Sequence, residues 1–307
     1  MLCTVGQTVQ DAELSDFMGK AAEDEDHVSS GMLDSPTMPT PDLPPIGPSP
    51  TPYPDVNAVL QLLVEQVRAI LGADLVGLYL YGSLSSGDFD PVSSDIDFVV
   101  VTRRALSGDT LVALRAMHAR IAASGLPWAT KLEGSYIPRT ALRRHDPANA
   151  HHPSIGVDWD FGIGLHGSDW VIQRHIIREQ GVVVCGPPPQ MLIDPVTPDA
   201  LRGSVIDLVL DFWAAQVQGP EPEWLRPRDY QAFAILTMCR ALYAVERGEI
   251  ASKPVAAAWA SAALDRRWSS LIERALAWRH DTRPDDMTDM LHFVHYTIER
   301  CRQAQAP

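Results

Sequence analysis

Two apolar strands joined by a polar, glycine-containing loop constrain the fold of this 307-residue chain more than any other feature. Residues 75–81 are almost all apolar and predict a buried strand, and the β-branched run at 96–101 predicts a second. Residues 82–94 between them are typical of a loop. Polar residues stand at both ends of this loop: Gly82 and Ser83 open it, and Ser94 closes it. The pattern therefore predicts a sheet that gathers polar groups where one strand ends and the next begins.

The residue types at this corner suit a nucleotide and a divalent cation. Gly82 has no Cβ and lets a phosphate approach the backbone closely. Ser83 adds a hydroxyl beside exposed backbone N–H groups, which together form a small anion-binding nest. Asp95 and Asp97 are two residues apart at a strand start, so their carboxylates point to one side, about 7 Å apart along the strand. Such a pair predicts a Mg²⁺ site whose ion would bridge nucleotide phosphates. Alone, a Gly-Ser pair is usually only a turn, and an Asp-x-Asp is usually a solvated strand end.

A third acidic residue, Glu133, lies in a third predicted strand at 131–137. If this strand is next to the one that carries Asp95 and Asp97, the three carboxylates should converge near one cation. Glu133 could then take the proton from an attacking hydroxyl. The alternative is a surface ion pair between Glu133 and Lys131.

The rest of the chain predicts an α/β domain followed by helices. Apolar periodicity predicts helices at 55–71, 107–124 and 169–179, a short strand or buried connector at 182–185, and irregular structure at 140–152. From Thr197 onward the pattern predicts only helices, at 198–217, 228–247, 254–264, 267–279 and 285–303. We therefore expect three segments: an acidic, proline-rich disordered tail at 1–54, an α/β domain at 55–195 and an all-helical domain at 196–307.

Charge and cysteine usage limit the partners and the compartment. The formal net charge of −14 argues against nucleic acid, which needs clustered Lys and Arg, and suits a small polycationic ligand. An acidic chain can equally be no more than soluble. The four cysteines are far apart and form no CxxC pair, so we expect reduced thiols in a cytoplasmic protein. We also expect no membrane span, no export signal and a monomer.

The motif resembles the signature of the polymerase-β-type nucleotidyltransferase superfamily, through Gly82-Ser83 and Asp95-Ile96-Asp97. Over residues 56–300 the chain more closely resembles the aminoglycoside 3″/9-adenylyltransferase family. Further similarities are Gly186-Pro187, Asp194-Pro195 and the runs at 236–243 and 248–259. The resemblance implies an α+β fold: a polymerase-β-like domain with a mixed sheet, followed by an all-helical C-terminal domain. It also implies Mg²⁺-dependent transfer of AMP from ATP to a hydroxyl of a streptomycin- or spectinomycin-type antibiotic, with release of pyrophosphate.

The resemblance also assigns roles to individual residues. Asp95 and Asp97 would be metal ligands and Glu133 the catalytic base, and Gly82, Ser83 and Ser94 would line the nucleotide site. Asp169 stands 17 residues before Gly186, which matches a nucleotide-site aspartate of the family, although Asp158 and Asp160 are rivals for this role. Lys253 would neutralise the triphosphate, and Arg240 could do likewise.

The acceptor is less well determined than the chemistry. The family's antibiotic-contacting positions fall near His151, Tyr230 and Phe233, which are not obvious cation ligands, although Glu223, Trp224 and Asp229 could substitute. Two alternatives follow: a nucleotidyltransferase with a protein or tRNA acceptor, and an ATP-binding relative without catalytic activity.

Overall fold

The computed structural model describes residues 49–157, 159–280 and 286–305. These residues divide into two compact units. One unit contains the chain up to His166 together with Ile176–Asp194, and the other contains Gly167–His175 and the chain from Pro195 onward. The chain thus passes between the units after His166, His175 and Asp194. Gly167–His175, which the sequence placed within the 55–195 domain, groups with the helices instead.

The first unit is built on a six-stranded sheet. Its strands are β1 (Leu75–Leu80), β2 (Ile96–Thr102), β3 (Leu132–Pro138), β4 (His151–Gly156), β5 (Trp159–Leu165) and β6 (Val182–Cys185). Their order across the sheet is β5-β4-β3-β2-β1-β6. β2 and β3 run parallel, whereas the other neighbouring strands described run antiparallel. The expected mixed sheet is therefore confirmed.

In the described part of the first unit, one helix precedes the sheet and three short or medium helices connect its strands. They are α1 (Pro54–Leu71), α2 (Ser83–Ser86), α3 (Gly108–Ala122) and α4 (Arg139–Arg143). The hydrophobic core combines the apolar sides of α1 and α3 with one face of the sheet, which presents Ile96, Phe98, Leu132 and Tyr136. Because side chains alternate along a strand, the residue that follows Ile96 and the residue that follows Leu132 point to the opposite face. Asp97 and Glu133 are on that opposite face.

The described part of the second unit is helical. It contains the start of α5 (Asp169–Gln180), then α6 (Pro198–Leu208), α7 (Ala214–Gln216), α8 (Arg228–Arg247), α9 (Lys253–Ala263), α10 (Ser269–Leu276) and α11 (Thr288–Gln305). A π-helical turn, Val209–Trp213, joins α6 to α7, so the helix predicted at 198–217 contains a bulge. The all-helical character expected of the C-terminal region is confirmed.

Several local predictions were wrong or incomplete. β4 and β5 occupy a region where the sequence predicted irregular structure at 140–152 and assigned no strand pair beyond it. The loop predicted at 82–94 contains the short helix α2. Order also begins before Asp55, because the buried Thr51 hydrogen-bonds Asn57 at the start of α1. Most of the predicted tail, residues 1–48, lies outside the described residues.

Helix α1 is a core helix, although its composition resembles that of a membrane span. In the described part of the chain, the segment Pro54–Asp74 is long and apolar enough to cross a membrane. Its apolar residues lie in the core, however: Val56, Val59, Leu60, Leu63, Val64, Val67 and Leu71 are all buried.

Truncation of a buried α1 side chain should destabilise the first unit strongly. Leu63 is fully buried in α1, so Leu63→Ala removes packing and should lower the free energy of unfolding by about 2–5 kcal/mol. The matched control is Gln61→Ala, because Gln61 lies on the exposed side of the same helix and its change should be within about 0.5 kcal/mol. Urea unfolding of both variants tests this. Equal stability of the two variants would show that α1 is not part of the core.

Candidate active site

Two buried carboxylates face each other across the parallel strand pair. The register of β2 and β3 places Asp97 directly beside Glu133. The two residues are 6% and 7% exposed, so water screens them poorly. Adjacent carboxylates in such a place repel each other unless a proton, a cation or hydrogen-bond donors compensate. The pair is therefore suited to hold a cation and to take up a proton.

Gly82 makes room for the Asp97 carboxylate. A Cβ added at Gly82 would lie 1.9 Å from Asp97 Oδ2, and the φ of +63° at this residue also disfavours any other residue type. The Tyr81 N–H donates to the Asp97 carbonyl over 3.1 Å, which holds the end of β1 against the start of β2. Helix α2 begins immediately afterwards at Ser83, and the Ser85 and Ser86 N–H groups bond the Gly82 carbonyl. The glycine–serine corner, Gly82-Ser83, thus lies against the Asp97 carboxylate.

Asp95 lies one residue before β2 and contacts Lys131. Lys131 Nζ is 3.4 Å from Asp95 Oδ1, and both side chains are partly exposed. The ion pair that the structure gives Lys131 is therefore with Asp95, whereas the sequence offered one with Glu133. Ser94, predicted to line the nucleotide site, has a local role as well: its Oγ accepts a hydrogen bond from the Asp90 N–H at 2.9 Å and closes the loop.

The described residues contain no group of three or more His, Cys, Asp or Glu side chains arranged to hold a metal ion. The strand register joins Asp97 to Glu133, and Asp95 contacts Lys131, so the convergence of all three carboxylates on one cation stays a prediction. Mg²⁺ is commonly bound through only one or two carboxylates together with substrate phosphates. The pocket that Gly82 leaves for the Asp97 carboxylate fits such a site.

Asp169 is a strongly perturbed carboxyl group at the start of α5. Burial raises its pKa to about 7, against the effects of the Arg174 guanidinium and of backbone N–H groups, which lower it. Arg174 is buried too and donates to the Trp170 carbonyl over 3.1 Å. Of the two rivals for the role of Asp169, Asp160 is exposed and Asp158 lies outside the described residues. Asp169 belongs to the helical unit.

Lys253 and Arg240, the two basic residues predicted to contact the nucleotide, are linked through a turn. Lys253 is the first residue of α9, and its Nζ lies 5.7 Å from the centre of the Phe233 ring. Arg240 is buried in α8, and its Nε donates to the Ala251 carbonyl over 2.9 Å, two residues before Lys253. Arg240 therefore holds the turn that precedes Lys253. Lys253 thus stands at the start of an 11-residue helix, the end of a helix that favours anions.

Comparisons with known proteins find similar sequences and a similar fold. Residues 60–136 match the family model "Nucleotidyltransferase domain", and residues 192–303 match "Aminoglycoside adenylyltransferase, C-terminal domain". An aminoglycoside (3'') (9) adenylyltransferase of Escherichia coli is 28% identical over 79% of this chain and 93% of its own length. Another from Shigella flexneri is 27% identical over 80% of this chain and 96% of its own. The chain therefore resembles the aminoglycoside (3'') (9) adenylyltransferases over most of its length, and it is a nucleotidyltransferase.

A solved structure supports the fold of this nucleotidyltransferase. A spectinomycin adenyltransferase from Enterococcus faecialis superimposes with a TM-score of 0.62 and covers 80% of this chain and 98% of its own. At 17% identity this similarity shows the fold alone.

The sequence reasoning missed a polar cluster on the acidic face of the sheet. Ser135, two residues after Glu133, is buried and hydrogen-bonds His166, whose ring contacts that of His152. The period-2 alternation that predicted one side for Asp95 and Asp97 also puts Ser135 on the side of Glu133, and it could have identified Ser135. The histidines could not be found in this way, because the strand of His152 was not predicted and His166 lies just after the end of β5.

A cavity of about 400 Å³ lies away from these residues. Its lining includes His118 and Ala122 of α3 and Leu132 of β3. Leu132 is part of the core beneath α1 and α3, so the cavity is on the other face of the sheet from Glu133.

Replacement of Gly82 should separate the steric role of this residue from its backbone role. Gly82→Ala would force Asp97 to move, and we expect kcat for nucleotidyl transfer to fall by about 10²-fold. The control is Gly87→Ala: Gly87 also has a positive φ, of +78°, but nothing lies within 4 Å of its added Cβ. This control should cost stability, roughly 1 kcal/mol, without loss of kcat. Equal kcat values for the two variants would contradict the proposed close contact.

Asp169 should make stability depend on pH. Between pH 4 and pH 7 the folded chain keeps a proton on Asp169 that the unfolded chain has lost, so a rise in pH destabilises the fold. Asp169→Asn removes this dependence. Relative to the variant, the wild type should therefore lose stability from pH 5 to pH 8, on the order of 2–3 kcal/mol at most. Urea unfolding at both pH values tests this, with the exposed Asp160→Asn as control. A constant difference between wild type and Asp169→Asn would refute the buried, protonated state.

Proposed function

We propose that this chain transfers AMP from ATP to a hydroxyl group of a cationic aminoglycoside or aminocyclitol, in a Mg²⁺-dependent reaction that releases pyrophosphate. The observation that carries the proposal is the buried Asp97–Glu133 pair packed against the Gly82 corner. The names of the relatives, aminoglycoside (3'') (9) adenylyltransferases, supply the acceptor class and the transferred group. The solved structure with ATP and spectinomycin is consistent with both.

Asp97 and Asp95 are the proposed Mg²⁺ ligands. When bound, Mg²⁺ would withdraw charge from the nucleotide phosphates and help to align them. The protein holds Asp97 in place through the Tyr81 N–H and through the room left by Gly82. Lys131 contacts Asp95. When nucleotide is bound, Lys131 would leave this carboxylate and contact a phosphate oxygen instead.

Glu133 is the proposed base. It takes the proton of the acceptor hydroxyl, whose oxygen then attacks the α-phosphorus of ATP. The new oxygen–phosphorus bond forms as the bond from the α-phosphorus to the bridging oxygen breaks, and pyrophosphate leaves. The burial of Glu133 next to Asp97 favours proton uptake, because two adjacent carboxylates resist a second negative charge.

The remaining predicted residues are proposed nucleotide contacts. Gly82 and Ser83 offer backbone N–H groups and a hydroxyl to phosphate, and Lys253 neutralises charge from the start of α9. Arg240 is proposed to act by fixing the turn before Lys253, since its Nε is bonded to the backbone there. Asp169 is proposed to accept a hydrogen bond from the nucleotide or from a bound water.

The charge of the chain supports a cationic acceptor. With 39 acidic residues and 25 lysines and arginines, the protein attracts polycations and repels nucleic acid. The thiols of Cys185, Cys239 and Cys301 are free and buried, which suits the reducing cytoplasm that we propose as its compartment.

A transfer assay with active-site variants tests the proposal. Labelled ATP and Mg²⁺ with a panel that includes streptomycin and spectinomycin should give drug-dependent pyrophosphate release. Asp97→Asn should abolish it, and Glu133→Gln should lower kcat by about 10²–10⁴-fold. Asp109→Asn, at the exposed start of α3, is the control and should have no effect. Transfer of label only to protein or tRNA in a lysate, or ATP binding without transfer, would overturn the proposed acceptor.

A further inference from the structure

We propose that Ser135 and His166 are positioning residues for Glu133, and that they act through a buried hydrogen bond which ties the strand of the base to the far edge of the sheet. This inference rests on the proposed function, in which Glu133 is the base. Neither residue touches the reacting atoms in this proposal. Their effect is on where the Glu133 carboxylate points.

The bond itself is short and shielded from water. Ser135 Oγ and His166 Nε2 are 3.0 Å apart, and the two residues are 4% and 3% exposed. The ring of His152, also buried, lies 4.7 Å from that of His166, centre to centre. Serine and two histidines lose hydration when buried, so a purely structural role would be met more cheaply by apolar side chains. The polar cluster at this place instead fixes the direction in which the neighbouring side chains point.

The location of the cluster connects it to the base. Ser135 is two residues after Glu133 in β3, so both side chains lie on the same face of the sheet. On one side, β3 pairs with β2 along its whole length, from Leu132 to Pro138. On the other side, its register with β4 covers only Gly134↔Ile155 and Ser135↔Ser154. The backbone next to Glu133 is thus firmly held on one side and weakly on the other.

The Ser135–His166 bond compensates for this weak side. His166 directly follows β5, and its N–H donates to the Ala150 carbonyl over 2.7 Å, which fixes it to the start of β4. In the strand order β5-β4-β3, the His166 side chain therefore spans β4 to reach Ser135. The two hydrogen bonds thus tie β3, β4 and β5 together at Ser135, two residues after Glu133. Loss of this tie should let the base drift, and a displacement of about 1 Å can cost about 10²-fold in rate.

The same strand offers a matched control on its other face. Tyr136, the residue after Ser135, points into the core, and its hydroxyl lies 2.7 Å from His118 Nε2. Both pairs are buried contacts between a hydroxyl and an imidazole, and both begin on adjacent residues of β3. Only the Ser135 pair shares a face with Glu133. Tyr136→Phe therefore reproduces the loss of one buried hydrogen bond without touching the acidic face.

The test is a double-mutant cycle on kcat. Ser135→Ala and His166→Phe should each lower kcat about 10–100-fold with little change in KM for ATP, and the double variant should be no worse than the singles, because each single already removes the whole bond. Ser135→Thr keeps the hydroxyl and should retain most of the activity. Tyr136→Phe should lose stability to a similar extent but keep kcat. If Ser135→Ala and Tyr136→Phe have the same kcat, the positioning role is wrong.

A structural measurement and the base variant keep this inference separate from the proposed function. Crystal structures of Ser135→Ala and Tyr136→Phe should show a displaced Glu133 carboxylate in the first only, and an unmoved carboxylate in both would refute the inference even without an assay. An active Glu133→Gln would instead refute the base itself. An inactive Glu133→Gln together with a fully active Ser135→Ala would refute only the positioning role.

Discussion

The parallel pairing of β2 with β3 is the constraint on which the acidic site depends. It sets Asp97 beside Glu133, and the alternation of side chains turns both away from the apolar core. Two carboxylates buried side by side are unfavourable, so the surrounding structure has to hold them in place. The Gly82 corner does so for Asp97, and the Ser135–His166 bond is proposed to do so for Glu133. The apolar face of the same strands supplies the packing energy that makes this possible.

The predictions that succeeded came from local patterns. The strand at 182–185 and the helix at 228–247 have the bounds that their apolar runs indicated, since few competing structures fit such segments. The register that joins Asp97 to Glu133 could not be predicted, because about 30 residues separate the two strands and local propensity does not fix a non-local pairing.

The predictions that failed have physical reasons of the same kind. β4 begins with His151-His152-Pro153, and β5 contains Gly162 and Gly164, residue types that are depleted in strands. Their pairing is stabilised by neighbours distant in sequence. α2 is a single turn, shorter than any apolar period can reveal. Asp169 is a different case: its role, inferred from spacing, stays a prediction, and the residue belongs to the helical unit together with Lys253 and Arg240. Spacing along the chain does not report which unit a segment joins.

The contact between Gly82 and Asp97 limits how such an enzyme can diversify. Every other amino acid would place a carbon atom where a carboxylate oxygen lies, so this corner admits no gradual alteration. New acceptor preferences must therefore arise at positions that do not support the Asp97 carboxylate, such as the surface loops and the helical unit. The Gly82 corner can thus stay constant while other positions change, which allows one chemistry to be adapted to many acceptors.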